Sequence, residues 1–193
     1  MNIRDNQEKF LDEISLLKQD LISTLNSVNV EKFREEYKGR FSSERFKEYF
    51  VEKAAIHTVL KYVLIRMIEE SMARVRPKLN EDGLKIWHEM SKNFRKDYNL
   101  LFDFAINDVK REQDLGYIFK DTIYDDDAFG SKSDGVLNKH IPILARYNFS
   151  TLDENSSLTL IDSLFSSEKR EELQNFYEPS PIVNFLLQQL GLI

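Results

Sequence analysis

Near its C-terminal end the sequence sets two aromatic rings, a carboxylate and a proline in successive positions, Phe176, Tyr177, Glu178 and Pro179. A turn of this composition can wall a small-molecule pocket, because rings offer flat apolar surface and a carboxylate can meet an ammonium. The turn stands directly ahead of a helix start. Ser180 supplies a capping oxygen, and Pro181 takes the first helical position, where its missing N–H costs nothing. That last helix is expected to run from Pro181 to about Leu190 and to stop at Gly191.

Other residue sets can be tested for chemistry and fall short. Glu36, Tyr37 and Lys38 spell an "ExK" with Asp20 upstream, a nuclease-like set, but the strands that would converge these groups on a metal are not expected. The acidic stretch from Asp125 to Val136 offers Asp125, Asp127, Gly130 and Ser133 at usable positions of a calcium loop. Phe129 takes a ligand position there and Val136 replaces the terminal bidentate glutamate, so an exposed loop is the expectation. His57, His88 and His140 have no metal-ligand spacing, and His88–Glu89 does not open an "HExxH" because Lys92 fills the last place. His57 lies in an apolar helical run and reads as a core residue. No "GxSxG" elbow occurs, and cysteine is absent, which excludes disulfides, thiolate zinc sites and cysteine nucleophiles. Neither a catalytic residue nor a metal ligand is assigned.

The segment "FYEPSPIVNFLL" resembles the "FYTPxxIVxxLL" element that leads into the catalytic domain of amino-methylating DNA methyltransferases of restriction and phage-defence systems, the type I modification subunits and type IIG-like enzymes. Phe176, Tyr177, Pro179, Ile182, Val183, Leu186 and Leu187 fall on that pattern, and Glu178 stands where the family usually has Thr. The span "VLIRMIEE" from Val63 to Glu70 is similar to an apolar, Arg, apolar, acidic pattern ahead of the catalytic domain in these enzymes. Arg66 there can pair along the helix surface with Glu69 and Glu70. The resemblance implies a helical N-terminal region of an adenine-N6 methyltransferase, with Phe176, Tyr177, Glu178 and Pro179 near S-adenosylmethionine in the full-length protein. The "NPPY" tetrapeptide and the glycine-rich cofactor loop of such enzymes do not occur in this chain. Methyl transfer by this chain alone is therefore not expected. Its expected partners are the catalytic domain in the same polypeptide, DNA in the full-length enzyme, and a restriction or specificity subunit. The competing reading is a stand-alone cytoplasmic helical adaptor that binds a partner protein through an apolar face.

Charge agrees with an accessory role. Lys and Arg number 27 against 33 Asp and Glu, a net −6, so the phosphate-neutralising excess of an autonomous DNA binder is lacking. A local basic face, for instance around Arg74, Arg76, Lys78, Lys92, Arg95 and Lys96, could still meet DNA, although mixed charge of this kind is normal on the solvated surfaces of ordinary helices. The first residues carry charges of both signs and no apolar run, so neither a signal peptide nor a membrane span is expected, and the lack of cysteine suits a reducing cytoplasm.

The elements that must position these residues are mainly α-helical. Only 6 Gly and 4 Pro occur while 31% of residues are charged, which favours long helices over short strands. Phe10, Ile14, Leu17, Leu21 and Leu25 recur at one-face spacing within a helix from Asp5 to Leu25. A short helix is expected from Val30 to Lys38, ending at Gly39. From Glu44 to about Arg74 apolar residues cover nearly every side, the pattern of a central helix packed between neighbours. Leu84, Trp87, Met90, Phe94, Tyr98, Leu101 and Ala105 form a stripe on one or two further helices, with Asn80 as a cap and Gly83 weakening the first turn. Gly116 breaks the pattern, and a flexible loop with Gly130 and Gly135 precedes a segment from Val136 to Ala145 that is either a short helix or irregular. Thr151 with Glu154 has the spacing of a capping box, Ser156 offers a competing helix start, and either way Leu158, Ile161, Leu164 and Phe165 are expected to form a buried face. A helical bundle over residues 1–170, followed by the beginning of a truncated methyltransferase domain over 171–193, is the organisation expected.

Overall fold

The computed structural model describes residues 1–37, 43–91, 97–113 and 115–164. These residues form a bundle of α-helices: α1 (Gln7–Leu25), α2 (Ser43–Ser71), α3 (Glu81–Met90), α4 (Tyr98–Lys110), α5 (Asp127–Leu144) and α6 (Glu154–Leu164). Short 3-10 turns sit at Arg4–Asn6, Glu31–Tyr37, Ile123–Asp125 and Phe149–Thr151. The tail from residue 165, and with it the 171–193 segment, lies outside the described residues.

Helix α1 buries Phe10, Ile14, Leu17, Leu21 and Leu25, the face its spacing dictates, and packs on α2, α5 and α6. Helix α2 is the core. Phe46, Phe50, Ala54, Ala55, Val59, Tyr62, Val63, Ile65 and Ile68 are all buried, and they point in so many directions that no solvent stripe remains along its middle. Helix α4 closes one side against α2 and α5. The chain start is held beside the α5 end, where Asn2 forms a parallel bridge with Asn148 and Ile3, fully buried, donates its N–H to Thr151 Oγ1.

Several expectations are corrected here. The stretch taken as a flexible loop is the first half of α5, which runs through Gly130, Gly135 and Pro142 without interruption. Phe129, Ser133, Val136, Leu137, His140, Ile141 and Leu144 recur at steps of three and four and are all buried, so tertiary packing outweighs the poor helix propensity of Gly and Pro. Thr151 does not open α6; the cap is Asp153, whose Oδ1 accepts from Ser156 N–H at 2.9 Å. The segment after Val30 is a 3-10 turn. Met90, placed on the stripe of α3, is 79% exposed, and Phe94 lies outside the described residues.

Gly83 is required where sequence reasoning saw a weakness. Asn80 caps α3 by accepting from Gly83 N–H at 2.8 Å, and a Cβ on Gly83 would collide with the Lys78 backbone. Replacing Gly83 with Ala should therefore destabilise the protein by about 1–3 kcal/mol in urea unfolding, although alanine is the better helix former. An unchanged or raised midpoint would contradict this packing.

Candidate functional site

Phe176, Tyr177, Glu178 and Pro179, the residues expected near a cofactor, lie outside the described residues, as do Lys38, Lys92, Arg95 and Lys96. Within the described residues the structure instead brings together charged clusters and several clefts.

The first cluster grows from α2. The spacing of Arg66, Glu69 and Glu70 suggested pairs along a helix surface, but the Arg66 side chain is fully buried. Its Nη2 donates to Glu70 and, at 2.8 Å, to the Tyr147 carbonyl, while its guanidinium carbon sits 4.8 Å above the Phe149 ring. Glu70 in turn accepts from Ser150 N–H at 2.8 Å. Glu69 accepts from the N–H groups of Lys78 and Leu79 at 2.8 and 3.1 Å, and so satisfies the backbone just ahead of α3. Burial pushes the Glu69 carboxyl up, against the opposing pull of the Lys78 N–H, the Arg66 charge and the Leu79 N–H. Burial likewise raises the Tyr62 phenol beside them. These groups bind one another and the backbone, which makes the cluster a fastener of the C-terminal end of α2 to the segment ahead of α3 and to the segment after α5.

The second cluster centres on Asp125, at the end of the 3-10 turn before α5. Its carboxylate accepts from His57 Nε2 at 3.2 Å, from Lys61 Nζ, and from the N–H and hydroxyl of Thr122 at 2.8 and 2.9 Å. Burial alone would raise the carboxyl, but the hydrogen bond and charge of His57 and those of Lys61 outweigh it and hold Asp125 well below the usual carboxylate range. With four donors on two oxygens, this group has no lone pair left for general-base work. His57 is a core histidine, buried and directed at Asp125. The same device recurs where Asp20 of α1 accepts from His140 at 2.8 Å and Lys139 at 2.6 Å, which gives Asp20 a structural partner across to α5. His88 meets the Tyr98 hydroxyl at 2.7 Å. His57 and His140 were not distinguishable by spacing, since their partners lie 68 and 120 residues away.

Beside Asp125 opens a cleft of about 300 Å³ walled by Lys61, Asn99, Asp103, Asn107, Lys110 and Tyr124 among others. Two of its cations are already neutralised, Lys61 by Asp125 and Lys110 by Asp121 at 2.5 Å. Burial and the nearby Asp134 raise the carboxyl of Asp103. Of the expected basic face, Arg74 pairs with Glu112 at 2.9 Å and Lys78 pairs with Asp108, so a free cationic strip for phosphates is not formed by its described members. Another cleft, between α3 and α4, is apolar and takes in Ile86, Trp87, Met90, Leu101 and Phe104. Among the described residues, no group of three or more His, Asp or Glu side chains could hold a metal ion, and no helix is long and apolar enough to cross a membrane.

Two outcomes test these clusters. Replacing Arg66 with Met strands buried carboxylates and should cost about 3–5 kcal/mol in equilibrium unfolding; a loss below about 1 kcal/mol would show the network to be dispensable. Asp125 titrates lower in the folded protein than in an unfolded chain, so its stabilisation is complete above about pH 4 and fades as the pH falls below that. Asp125→Asn should lower stability at pH 7 by about 3 kcal/mol and flatten the acid limb of the stability profile. An acid limb that keeps its slope in the variant would contradict the assignment.

No protein-family model matches this chain, and no curated protein and no solved structure is significantly similar to it.

Proposed function

We propose that this chain is the N-terminal helical domain of an S-adenosylmethionine-dependent DNA adenine-N6 methyltransferase of a restriction-modification or phage-defence system. The observation that carries the reading is the "FYEPSPIVNFLL" segment, which has the aromatic, proline and apolar positions of the element leading into such a catalytic domain. Two further features support it. The chain has the helical bundle expected ahead of that element, and its second resembling span, Val63–Glu70, lies in the helix around which the bundle is built. The domain's task is then to scaffold the catalytic lobe, flank its cofactor or DNA cleft, and connect to a restriction or specificity subunit. Chemistry belongs to the lobe, because extruding and methylating a base needs the tetrapeptide and cofactor loop that this sequence lacks.

A second reading, a cytoplasmic helical adaptor for a partner protein, draws on the apolar cleft between α3 and α4, where Ile86, Met90 and Phe104 are exposed. Reading the gene beyond Ile193 separates the two. A cofactor loop and an "NPPY"-like tetrapeptide downstream support the methyltransferase, and a stop codon supports the adaptor.

Binding gives a physical check. This chain alone should bind S-adenosylmethionine and duplex DNA weakly or not at all at physiological salt. In the polypeptide carrying the catalytic lobe, Tyr177→Ala should raise the KM for the cofactor at least about tenfold, as expected when an aromatic wall of a ligand pocket is removed. Tight sequence-specific DNA binding by this chain, or an unaltered KM in the variant, would contradict the proposal.

A further inference from the structure

Helix α4 turns a ladder of polar side chains towards the cleft that it shares with α2 and α5. Asn99, Asp103 and Asn107 recur at steps of four, so that successive rungs stand about 6 Å apart along the axis, and all three line the cleft. None of these side chains has a hydrogen-bond or ion-pair partner among the described residues. Phe102 and Ile106, between the rungs, add apolar surface to the same wall. On α5 the lining includes Gly130, where a Cβ would meet nothing within 4 Å, so the cleft stays open at that point. Its volume of about 300 Å³ is at the small end of the range of ligand pockets.

The charges of the lining select the sign of a ligand. Lys61 and Lys110 are each held by a carboxylate, Asp125 and Asp121, so Asp103 is the lining charge left without a counter-ion. The fold gains nothing from that charge. Partial burial first, then the charges of Asp134 and Asp97, raise the Asp103 carboxyl against the opposing pull of Lys61 and Lys110. A carboxyl raised above its unfolded value costs stability at neutral pH, so Asp103 works against folding there. An anion in the cleft would add to this repulsion and a neutral molecule would leave it in place, whereas a cation relieves it. The amide rungs on either side offer carbonyl oxygens to N–H donors one helical turn from the carboxylate.

We propose that the cleft between α2, α4 and α5 binds a linear aliphatic diamine, with one ammonium paired to Asp103 and the other one turn along α4 at the side-chain carbonyl of Asn99 or Asn107. The step of about 6 Å between rungs is close to the reach of a four-carbon diamine, and its methylenes then lie over Phe102 and Ile106. This inference rests on neither reading of the C-terminal segment.

Calorimetric titration of this chain with putrescine, the four-carbon diamine, tests the proposal. One site is expected, with a dissociation constant on the order of 0.1–1 mM for so small a ligand. Butylamine, which lacks the second ammonium, should bind about fivefold more weakly or worse, and butanoate should not bind. Asp103→Asn should weaken putrescine binding at least about tenfold, with a thermal midpoint equal to or above that of the parent chain. Gly130→Leu should abolish binding by filling the cleft from the opposite wall, and should fold normally because the new side chain enters open space. Absence of binding up to about 10 mM putrescine overturns the proposal, as does an Asp103→Asn or Gly130→Leu variant that binds like the parent, or butanoate binding as well as the diamine. Tighter binding of Nα-acetyl-lysine amide than of putrescine also overturns it, since the cleft would then be fitted to a protein lysine and not to a free diamine.

Discussion

A guanidinium with no exposed surface sets the terms for the rest of the molecule. Arg66 lies near the C-terminal end of the bundle's central helix, and burying it unmatched would be prohibitive, so the groups that meet it must be in place together. Those groups are Glu70, the Tyr147 carbonyl and the Phe149 ring, and Glu70 extends the chain of contacts to Ser150. Glu69, one turn along, reaches instead to the backbone at Lys78 and Leu79 that introduces α3. A buried ion pair seldom adds much net stability over a well-packed apolar pair, but it penalises any register in which its partners are displaced. The Asp125 cluster acts in the same way nearer the middle of α2, fixing the turn ahead of α5 to α2 through His57 and Lys61. The core thus has its apolar mass in α2 and its alignment in charged fasteners along that helix.

How much of this could be read in the sequence depended on how local each determinant is. The face of α1 was legible because five apolar residues at regular steps need only a single neighbour to bury them. The apolar girth of α2 marked a central helix for the same reason. The first half of α5 was missed and its second half left undecided because two core positions of its stripe are polar, Ser133 and His140, and because Gly130, Gly135 and Pro142 lie between the others. Ser133 bonds to the carbonyl one turn back and His140 to Asp20 of a helix more than a hundred residues away, and only the second fact explains why a histidine belongs there. Arg66 was read on a surface for a related reason: the spacing to Glu69 and Glu70 is visible in sequence, while Tyr147 and Ser150 are not. Gly83 shows the opposite error, a residue discounted on propensity that close approach to the Lys78 backbone makes necessary.

The candidate site divides along the same line. Its composition was legible, since aromatic, acidic and proline residues before a capped helix form a recognisable arrangement in Phe176 to Pro181. Its geometry is a property of the lobe that the proposed enzyme would build around it. The described bundle supplies the complementary part of that account, a rigid helical body whose titratable clusters are committed to holding helices together. Asp125 and Asp20 each accept from a histidine and a lysine, and Glu69 and Glu70 are engaged with backbone N–H groups and Arg66. Such groups are suited to support and not to turnover.

Hydrogen exchange across residues 171–187 in the polypeptide that continues into the catalytic lobe, with and without S-adenosylmethionine, tests the central claim most directly. The account predicts that cofactor slows exchange around Phe176, Tyr177 and Glu178 while the bundle up to Leu164 is unaffected. Saturating cofactor that leaves this turn exchanging at its original rate would contradict the assignment of the chain as the front of a methyltransferase.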